Sequence, residues 1–484
     1  MNKKLLIICV FIVIIFRSFG SNISELEKNN PPNIVIIFTD DQGYQDLGCY
    51  GSPNILTPNL DKLAEEGIKF TDFYVASSVC TPSRAALLTG KYPIRMNLAK
   101  GVLFPNSGDK GLSPKEETIP KLLKKLNYKT ACIGKWHLGH QSKFLPISNG
   151  FDYYYGIPYS NDMWIAPELK LHRNVILNEN ITFEDIEYMK KIGGLKEWAK
   201  ARKFNNQVPL MKNNEVIEFP VDQSTLTKRY TEEVVSFIKK SKDSPFFIFF
   251  TPAMPHVPLY ASKDFINTSQ AGLYGDTIEE IDWSVGRILS TLKDINAEKN
   301  TLVIFTSDNG PALHFFDHGG KALPLRSGKA SIFEGGMRVP CIMKYPNRFD
   351  SNIVCTNIIT SLDILPTILN LCEITIDNDI DGVDILSILN NSNNNSERIF
   401  VYYSTAGKAS AIRVGKWKLI FSKPVGNYGD LVEIKKYNNK IFTPELYDLQ
   451  NDPSERNNLY EKYPLIAQKC FKIAVRKIRL LENN

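Results

Sequence analysis

Two pairs of residues that offer only oxygen ligands stand far apart in the sequence. Asp40 and Asp41 form one pair, and Asp308 and Asn309 form the other. Carboxylate and amide oxygens favour a hard cation, Ca²⁺ or Mg²⁺, over zinc. Taken singly, each pair is better explained by a loop cap or by a turn before Gly310. Because both occur in one chain, they predict a site for a divalent cation.

Four basic side chains would surround that cation with positive charge. They are Lys135 and His137 in "GKWHLG", His256 in "MPHVPL" and Lys329 in "RSGKASIFEGG". A pocket of this composition suits a doubly charged tetrahedral anion or an anionic ester, since it neutralises charge that builds up in the transition state. Considered alone, Lys329 is better explained as a solvated loop lysine.

A cysteine, Cys80, stands where a helix is predicted to begin. Pro82 fits the first turn of that helix, and the free N–H groups of the turn would face an anion. Arg84 would lie one turn further, on the same side. A thiolate at this position would be stabilised. However, we find no base and orienting residue of the kind that a cysteine hydrolase needs.

The polar clusters each follow a predicted strand. The predicted strands are residues 33–39, 128–133, 245–251 and 301–306, and they alternate with predicted helices at 60–66, 119–126, 226–240 and 278–295. This alternation predicts an α/β fold with a large, mostly parallel sheet between helices. In open α/β sheets, ligands bind beyond the carboxyl ends of the strands. We therefore expect the four clusters to meet in one crevice.

The end of the chain has a different pattern. An Asn-rich break at 390–395 precedes short predicted strands at 398–404 and 411–422 and an amphipathic helix at 466–481. This pattern predicts a main domain over residues 21–390. It also predicts a C-terminal subdomain over residues 396–484, with a small antiparallel sheet and a helix.

The N-terminus has the pattern of an export signal. Lys3 and Lys4 precede an apolar run at 5–16, and small residues follow at 18–20. We interpret residues 1–20 as a signal peptide; an uncleaved anchor is the alternative. The net charge of +6 is spread over 484 residues, so nucleic acid is not an expected partner. Eight cysteines include Cys9, which cleavage would remove, so one of the remaining seven is expected to be unpaired.

The segment from Cys80 to Gly90 resembles the signature of the sulfatase family, which is part of the alkaline phosphatase superfamily. That signature is C/S-x-P-x-R-x-x-x-L-T-G, and "CTPSRAALLTG" fits it at every fixed position. The stretches "NIVIIFTDDQGYQDLGCYG", "GKWHLG", "SDNGP" and "AIRVGKWKLI" are also similar to family motifs. The resemblance covers roughly residues 33 to 460, and it implies an alkaline phosphatase-like fold.

The resemblance implies an unusual nucleophile. In this family a maturation enzyme oxidises the signature cysteine to formylglycine, whose aldehyde is hydrated to a geminal diol. One hydroxyl attacks the sulfur of a sulfate ester and the alcohol leaves; the second hydroxyl then loses its proton and expels sulfate. A plain serine or cysteine lacks that second hydroxyl. Cys80 would therefore be the precursor of the nucleophile.

The resemblance also implies a role for each residue of the predicted site. The ligands of one cation, usually Ca²⁺ with Mg²⁺ as the alternative, would be Asp40, Asp41, Asp308, Asn309 and the modified Cys80. The residues that act on the diol would be Arg84 and His137, and His256 would protonate the leaving alcohol. The residues that bind sulfate would be Lys135 and Lys329, with Ser160 in "GIPYSND" as a further pocket residue.

The substrate is less well defined by the sequence. Candidates for contacts with a sugar are Asp162, Trp164, His172, His314, His318 and Arg326, of which we select His318 and Arg326. The stretch at 165–216 differs most from the family and is expected to shape specificity. Export and family together predict an exo-acting sulfatase on a sulfated polysaccharide or oligosaccharide.

Two other functions and several cellular locations stay open. A phosphatase or phosphodiesterase of the same superfamily is one alternative function. A sugar-binding pseudoenzyme is the other, if Cys80 remains a thiol. The periplasm or secretion is the expected location, and a lysosomal type is the alternative. The oligomeric state is left open.

Overall fold

The computed structural model describes residues 31–375, 379–390, 398–426, 429–438 and 441–482. The predicted signal peptide lies outside these residues, as does most of the Asn-rich break. Across the described ranges, no helix combines the length and the apolar character that crossing a bilayer requires.

The strands form a large central sheet, a two-stranded sheet and a small C-terminal sheet. In chain order they are β1 (Asn33–Thr39), β2 (Ile68–Phe70), β3 (Phe73–Tyr74), β4 (Lys129–Gly134), β5 (Tyr153–Gly156), β6 (Lys170–Leu177), β7 (Leu210–Lys212), β8 (Glu215–Phe219), β9 (Phe246–Thr251), β10 (Thr301–Ser307), β11 (Cys341–Lys344), β12 (Ile353–Cys355), β13 (Ile359–Thr360), β14 (Ile399–Tyr403), β15 (Ala409–Val414), β16 (Trp417–Ile420) and β17 (Glu445–Asp448).

The helices alternate with these strands along the main domain. They are α1 (Pro58–Glu65), α2 (Cys80–Thr89), α3 (Ile119–Lys124), α4 (Phe183–Gly193), α5 (Trp198–Ala201), α6 (Leu226–Lys240), α7 (Gly272–Asp294), α8 (Glu334–Met337), α9 (Ile364–Leu371), α10 (Leu386–Leu389), α11 (Leu431–Asn438) and α12 (Pro464–Glu482).

The centre of the large sheet is parallel, as predicted. The strand order is β12-β2-β11-β10-β1-β9-β4-β5-β7-β8-β6, and β10, β1, β9, β4 and β5 run parallel to one another. The register pairs Thr39 with Ser307 and Gly134 with Thr251, so these strands end at the same edge. The antiparallel pairings lie toward the two sides of the sheet, through β11 and β7.

Helices cover both faces of this sheet. Residues 34–38 of β1 are all buried, although successive side chains of a strand point to opposite faces. One group of packed helices is α1, α6 and α7, and another is α2, α3 and α9. The predicted α/β fold is therefore confirmed, and β1 and α6 have the predicted bounds.

Two parts of the secondary structure differ from the prediction. Residues 411–422 were expected to form one strand, but β15 and β16 occupy this region and pair antiparallel. Gly415 lies between them with φ 53°, a left-handed conformation that suits glycine in a tight turn. The second difference is the unpredicted extension of the large sheet by β6, β7 and β8. Strands β6 and β7 and the first two residues of β8 belong to the stretch at 165–216, which was expected to shape specificity.

The C-terminal sheet has the order β14-β15-β16-β17, and α12 packs against β15 and β16. A buried ionic contact joins this subdomain to the main domain. The Lys418 ammonium lies 2.9 Å from Glu334 at the start of α8 and 2.8 Å from Glu455, with all three side chains inaccessible to solvent. A buried charge that loses its partner is costly, so this contact resists separation of the two parts.

Replacing Lys418 by Met should destabilise the protein because it leaves Glu334 and Glu455 buried without their shared cation. We expect the free energy of unfolding, measured in urea, to fall by about 3–5 kcal/mol. Lys416→Met is the matched control, since Lys416 is 41% exposed and its pair with Asp448 is worth at most about 1 kcal/mol. Equal losses of unfolding free energy in the two variants would show that the buried contact contributes no more to stability than the exposed pair.

Candidate active site

The ends of β1 and β10 bring the two oxygen-bearing pairs into contact. Asp40 and Asp41 follow β1 directly, and Asp308 and Asn309 follow β10 directly. The Asp41 N–H donates to Asp308 Oδ1 over 3.2 Å, and Asn309 Nδ2 donates to Asp41 Oδ1 over 2.7 Å. The residues predicted to hold a cation therefore lie side by side.

Three cations face the three carboxylates of this cluster. Arg84 donates to Asp308 through Nε at 2.9 Å and lies 2.8 Å away through Nη2. Lys329 donates to Asp41 over 2.6 Å, and Lys135 bonds to Asp40. Burial alone raises the pKa of Asp40, but Lys135, His256 and Arg84 together hold that pKa well below its usual range. The cluster is thus balanced in charge although it is buried.

Cys80 lies within this cluster as the first residue of α2. It is 1% exposed, and its Sγ is 3.4 Å from Asp40 Oδ1. Burial, together with Asp308 and Asp40, raises the pKa of the thiol well above its usual value. The expectation of a stabilised thiolate is therefore wrong, because burial and the adjacent carboxylates outweigh the helix N-terminus. As a plain thiol, Cys80 is poorly suited to be a nucleophile.

The residues of the cluster fit a divalent cation. Asn309 Oδ1 is buried and has no hydrogen-bond partner among the described residues, as expected of a ligand oxygen that awaits an ion. Ligand atoms of Asp40, Asp41, Cys80 and His256 lie within 4.8 Å of one another. Burial and Asp40 raise the pKa of Asp308 to about 7. An additional cation would relieve this crowding of carboxylates.

His137 is held as a neutral ring with one free nitrogen. Its Nε2 lies 2.9 Å from the carbonyl oxygen of Leu103, so Nε2 carries the proton. Its Nδ1 is buried and has no hydrogen-bond partner among the residues described. Burial, Lys135 and Arg84 lower the pKa of the ring well below its usual value. Nδ1 can therefore accept a hydrogen bond from a group bound in the pocket.

His256 is held in the opposite tautomer. Its Nδ1 lies 2.6 Å from the Val257 carbonyl and 3.0 Å from Asn161 Oδ1. Because the Asn161 amide nitrogen donates to the Pro258 carbonyl over 2.9 Å, the oxygen of Asn161 must be the atom that faces the ring. Nδ1 therefore carries a proton, and Nε2 is directed into the cluster, 3.6 Å from Asp41.

Neither Asn161 nor Gln223, the residue that supports it, was predicted from the sequence. Gln223 accepts from the Asn161 amide over 3.1 Å and donates to the Asn161 carbonyl over 3.0 Å. Both residues are buried, so this pair of amides fixes the orientation of His256. The only indication of Asn161 in the sequence was its position next to Ser160, a predicted pocket residue. An amide has no ionisable group that would indicate a role in catalysis.

The predicted substrate-binding residues have different positions. Ser160 Oγ lies 3.2 Å from Lys135 Nζ and 3.3 Å from His256 Nε2, inside the cluster. Arg326 binds Glu433 through two bonds of 2.7 Å and lies 3.8 Å above the ring of Phe333. Its guanidinium therefore joins the main domain to the C-terminal subdomain, which replaces its predicted contact with a sugar.

His318 and His314 belong to one short helical turn, Leu313–His318. His318 is exposed, whereas His314 is half-buried, and burial together with Lys329 lowers the pKa of His314. His314 is therefore a better candidate for the rim of the site than its place in the sequence indicated. Trp164 is buried, with its Nε1 bonded to the Gly193 carbonyl, and it belongs to the core.

Asp162 and His172 were the remaining candidates for the rim. Asp162 is half-buried, and its carbonyl accepts from the backbone of Asn206. His172 lies in β6, where its Nδ1 accepts from the backbone of Asn174. None of the seven described cysteines forms a disulfide, and six of them are buried thiols.

The chain is similar to known proteins over most of its length. Residues 32–374 match the family model "Sulfatase", and residues 328–470 match "N-sulphoglucosamine sulphohydrolase, C-terminal". N-acetylgalactosamine-6-sulfatase of Canis lupus familiaris is 36% identical, covering 81% of this chain and 72% of its own. Arylsulfatase A of Homo sapiens is 36% identical, covering 89% and 83%.

The fold is shared with solved structures. The structure of Ps i-CgsB in complex with k-i-k-neocarrahexaose superposes with a TM-score of 0.74 at 27% identity and covers 92% of both chains. The residues matched by the model "Sulfatase" include Cys80 and the carboxylates and cations around it. The chain belongs to the sulfatase family, and the protein is a sulfuric ester hydrolase.

Proposed function

We propose that the protein removes O-sulfate groups from a sulfated carbohydrate, with formylglycine at position 80 and one divalent cation. The observation that carries this proposal is the position of Cys80, whose poorly ionised thiol lies among three carboxylates and three cations. The names of its relatives support a carbohydrate: one is an N-acetylgalactosamine-6-sulfatase, and another protein was solved with neocarrahexaose.

Formylglycine and the divalent cation would supply complementary chemistry. In its hydrated form, formylglycine supplies a hydroxyl that attacks sulfur and a second hydroxyl that allows sulfate to leave. A cation held by Asp40, Asp41, Asp308 and Asn309 would supply positive charge to a sulfate oxygen and lower the pKa of the attacking hydroxyl. The all-oxygen protein ligand set favours Ca²⁺, with Mg²⁺ as the alternative.

The charge balance of the pocket suits a divalent cation together with a sulfate group. The three carboxylates are already matched by Arg84, Lys135 and Lys329. A divalent cation therefore leaves an excess of positive charge, which a sulfate group can neutralise. Since such charge is fixed in a buried site, it stabilises negative charge without reorganisation during the reaction.

The side chains around Cys80 divide the remaining work. Lys135 and Ser160, 3.2 Å apart, and Lys329 can donate hydrogen bonds to sulfate oxygens. His137 Nδ1 can accept a hydrogen bond from a hydroxyl at position 80 and so orient it, while Arg84 holds Asp308 in place. His256 keeps its Nδ1 proton on the Val257 carbonyl and presents Nε2 to the leaving oxygen. It acts as general acid when Nε2 carries a second proton, which the Asp41 carboxylate 3.6 Å away favours.

Burial of Cys80 also has a consequence for maturation. A side chain that is 1% exposed in the folded protein cannot enter the active site of another enzyme. We therefore propose that a formylglycine-generating or sulfatase-maturing enzyme acts before folding is complete. Export to the periplasm or to the outside of the cell, based on the N-terminal sequence, is part of the same proposal.

The function is tested by sulfate release from N-acetylgalactosamine 6-sulfate and from defined sulfated oligosaccharides. Cys80→Ala should reduce turnover by at least about 10³-fold, since the nucleophile is lost. Cys132→Ala, at another buried cysteine, should retain turnover. Mass spectrometry of the active protein should show a residue lighter than cysteine at position 80. Faster hydrolysis of aryl phosphate than of aryl sulfate, or an unmodified thiol in active protein, would contradict the proposal.

The cation is tested by binding and by thermal unfolding. We expect Ca²⁺ to raise the Tm of the protein and EDTA to reverse this change, because an ion that binds the folded state stabilises it. Asn309→Ala should weaken Ca²⁺ binding by at least about tenfold in calorimetry. Asp46→Asn is the control, since buried Asp46 accepts from Gly43 and Lys321 rather than joining the cluster. An unchanged Tm and full activity in EDTA would refute the role of the cation.

Asn161→Ala should impair the general acid without removing it. We expect turnover of a sugar sulfate to fall by about 10²-fold, because the leaving alcohol needs a proton, while an activated aryl sulfate changes little. His256→Ala should show the same preference. The double variant should lose no more than His256→Ala alone, since the two residues act as a unit. Equal losses on both substrates in Asn161→Ala would assign it a purely structural role.

A further inference from the structure

A strongly basic and exposed stretch lies within residues 165–216, which were expected to shape specificity. We call residues 190–204 the basic segment; it runs from the end of α4 through α5. It contains one acidic residue, Glu197, and six basic ones, which are Lys190, Lys191, Lys196, Lys200, Arg202 and Lys203. Apart from the half-buried Lys190, these basic side chains are exposed.

Among the described residues, acidic side chains form ion pairs with two of these six basic ones. Lys190 pairs with Glu187, and Lys200 pairs with Glu197. In the ranges that the structure describes, Lys191 and Lys196 have no acidic partner at ion-pair distance. The basic segment therefore presents an excess of positive charge to solvent, which attracts an anionic ligand.

An aromatic ring lies among these cations. Trp198 is 46% exposed, and its ring meets Phe104 edge-on at 4.4 Å between centroids. The buried Trp164 supports it from 6.3 Å, and the Arg202 guanidinium lies 5.8 Å from its ring. An indole that packs edge-on against two aromatic rings and is still 46% exposed offers apolar surface to a sugar ring.

The basic segment is attached to the supports of both active-site histidines. Phe104 directly follows Leu103, whose carbonyl binds His137 and whose N–H donates to Thr81, the residue after Cys80. On the other side, the Asn206 carbonyl accepts from Gln223, the amide that holds Asn161 and so His256. These loops place the segment beside the pocket, at the edge where the parallel strands end.

The opening of the pocket lies on the side of His256. Among the residues of the cluster, His256 and Lys329 are the most exposed, at 7% and 8%. The alcohol portion of a sulfate ester must leave through this opening, because Cys80, Lys135 and Arg84 are sealed from solvent. A longer substrate would then pass close to the loops that carry the basic segment.

We propose that the basic segment is a second binding site, which takes the remainder of a sulfated glycan chain while one sulfate occupies the catalytic pocket. Lysine side chains would pair with sulfate or carboxylate groups of neighbouring sugars, and Trp198 would stack on a sugar ring. This inference rests on the proposed function. A solvated helix face is the simpler explanation of a basic stretch, but it does not account for the supported indole or for the attachment to both histidines.

The test compares two sets of charge reversals with the same change in net charge. One variant carries Lys191→Glu, Lys196→Glu and Arg202→Glu. The control carries Lys472→Glu, Arg476→Glu and Arg479→Glu on the exposed face of α12, in the C-terminal subdomain. Sulfate release is measured on chondroitin 6-sulfate chains and on a small aryl sulfate. A second pair, Trp198→Ala and Phe471→Ala, compares two exposed aromatic rings.

We expect the first triple variant to raise KM for the chains by about tenfold and to leave kcat/KM for the aryl sulfate within about twofold. The control triple variant should change neither value, and Trp198→Ala should raise KM for the chains whereas Phe471→Ala should not. Equal effects of the two triple variants would mean attraction by net charge alone and would overturn the proposal. Loss of aryl sulfate turnover in both the first triple variant and Trp198→Ala would also overturn the proposal.

Binding is measured separately from turnover. Chondroitin 6-sulfate should quench the tryptophan fluorescence of the wild-type protein, and Trp198→Phe should remove most of that change. Equal quenching by a DNA oligomer at the same ionic strength would show non-specific polyanion binding and overturn the inference. If the chains bind through Trp198 but no sulfate is released from any glycan, the proposed function fails and the binding site stands.

Discussion

The neutralisation of buried charge at the ends of the parallel strands is the constraint on which the structure depends. Asp40, Asp41 and Asp308 are buried, and each is bonded to a buried cation from another element. A buried charge without a partner costs several kcal/mol, so these pairs must form together. The register of β1 with β10 and of β4 with β9 follows, because a shift of one residue would separate the partners.

The same contacts hold two residues of the site in backbone conformations that are unfavourable by themselves. Asp41 and His137 have φ angles of 61° and 62°, which non-glycine residues adopt rarely and at a cost. The ion pair of Asp41 and the bond of His137 to Leu103 hold these conformations. The site is therefore organised before a guest enters. The fixed neighbours of the two histidines hold them in opposite tautomers, so His137 presents Nδ1 and His256 presents Nε2 to the pocket.

Ion pairs shielded from solvent also form outside the pocket. Lys418 with Glu334 and Glu455, and Arg326 with Glu433, join the C-terminal subdomain to the main domain through buried or half-buried charges. Glu334 follows Lys329 by five residues in the sequence, so docking of the subdomain also anchors the loop that carries Lys329. The basic segment shows the contrasting case, because its charges are exposed and are left for a ligand to neutralise.

Most of the catalytic centre could be inferred from the sequence because its residues are ionisable and follow apolar strands at short distances. Asp40, Lys135, His256 and Asp308 each come within five residues of a strand end, and strand ends meet at one edge of a parallel sheet. Cys80 was identified by its helix start and its signature. The α/β fold followed from the alternation of strands and helices, since periodicity reflects which face of each element is buried.

Only the tertiary structure decided the rest. Burial raises the pKa of Cys80, together with carboxylates 228 and 40 residues away, so the expected thiolate was wrong for a reason that no local pattern contains. Asn161, Gln223 and the Leu103 carbonyl act through uncharged hydrogen bonds, which leave no signal in composition or spacing. Arg326 looked like a ligand for sugar until its partner, Glu433, appeared 107 residues later in the chain. Sequence specifies which groups are present, but their neighbours in space determine which of them remain available for chemistry.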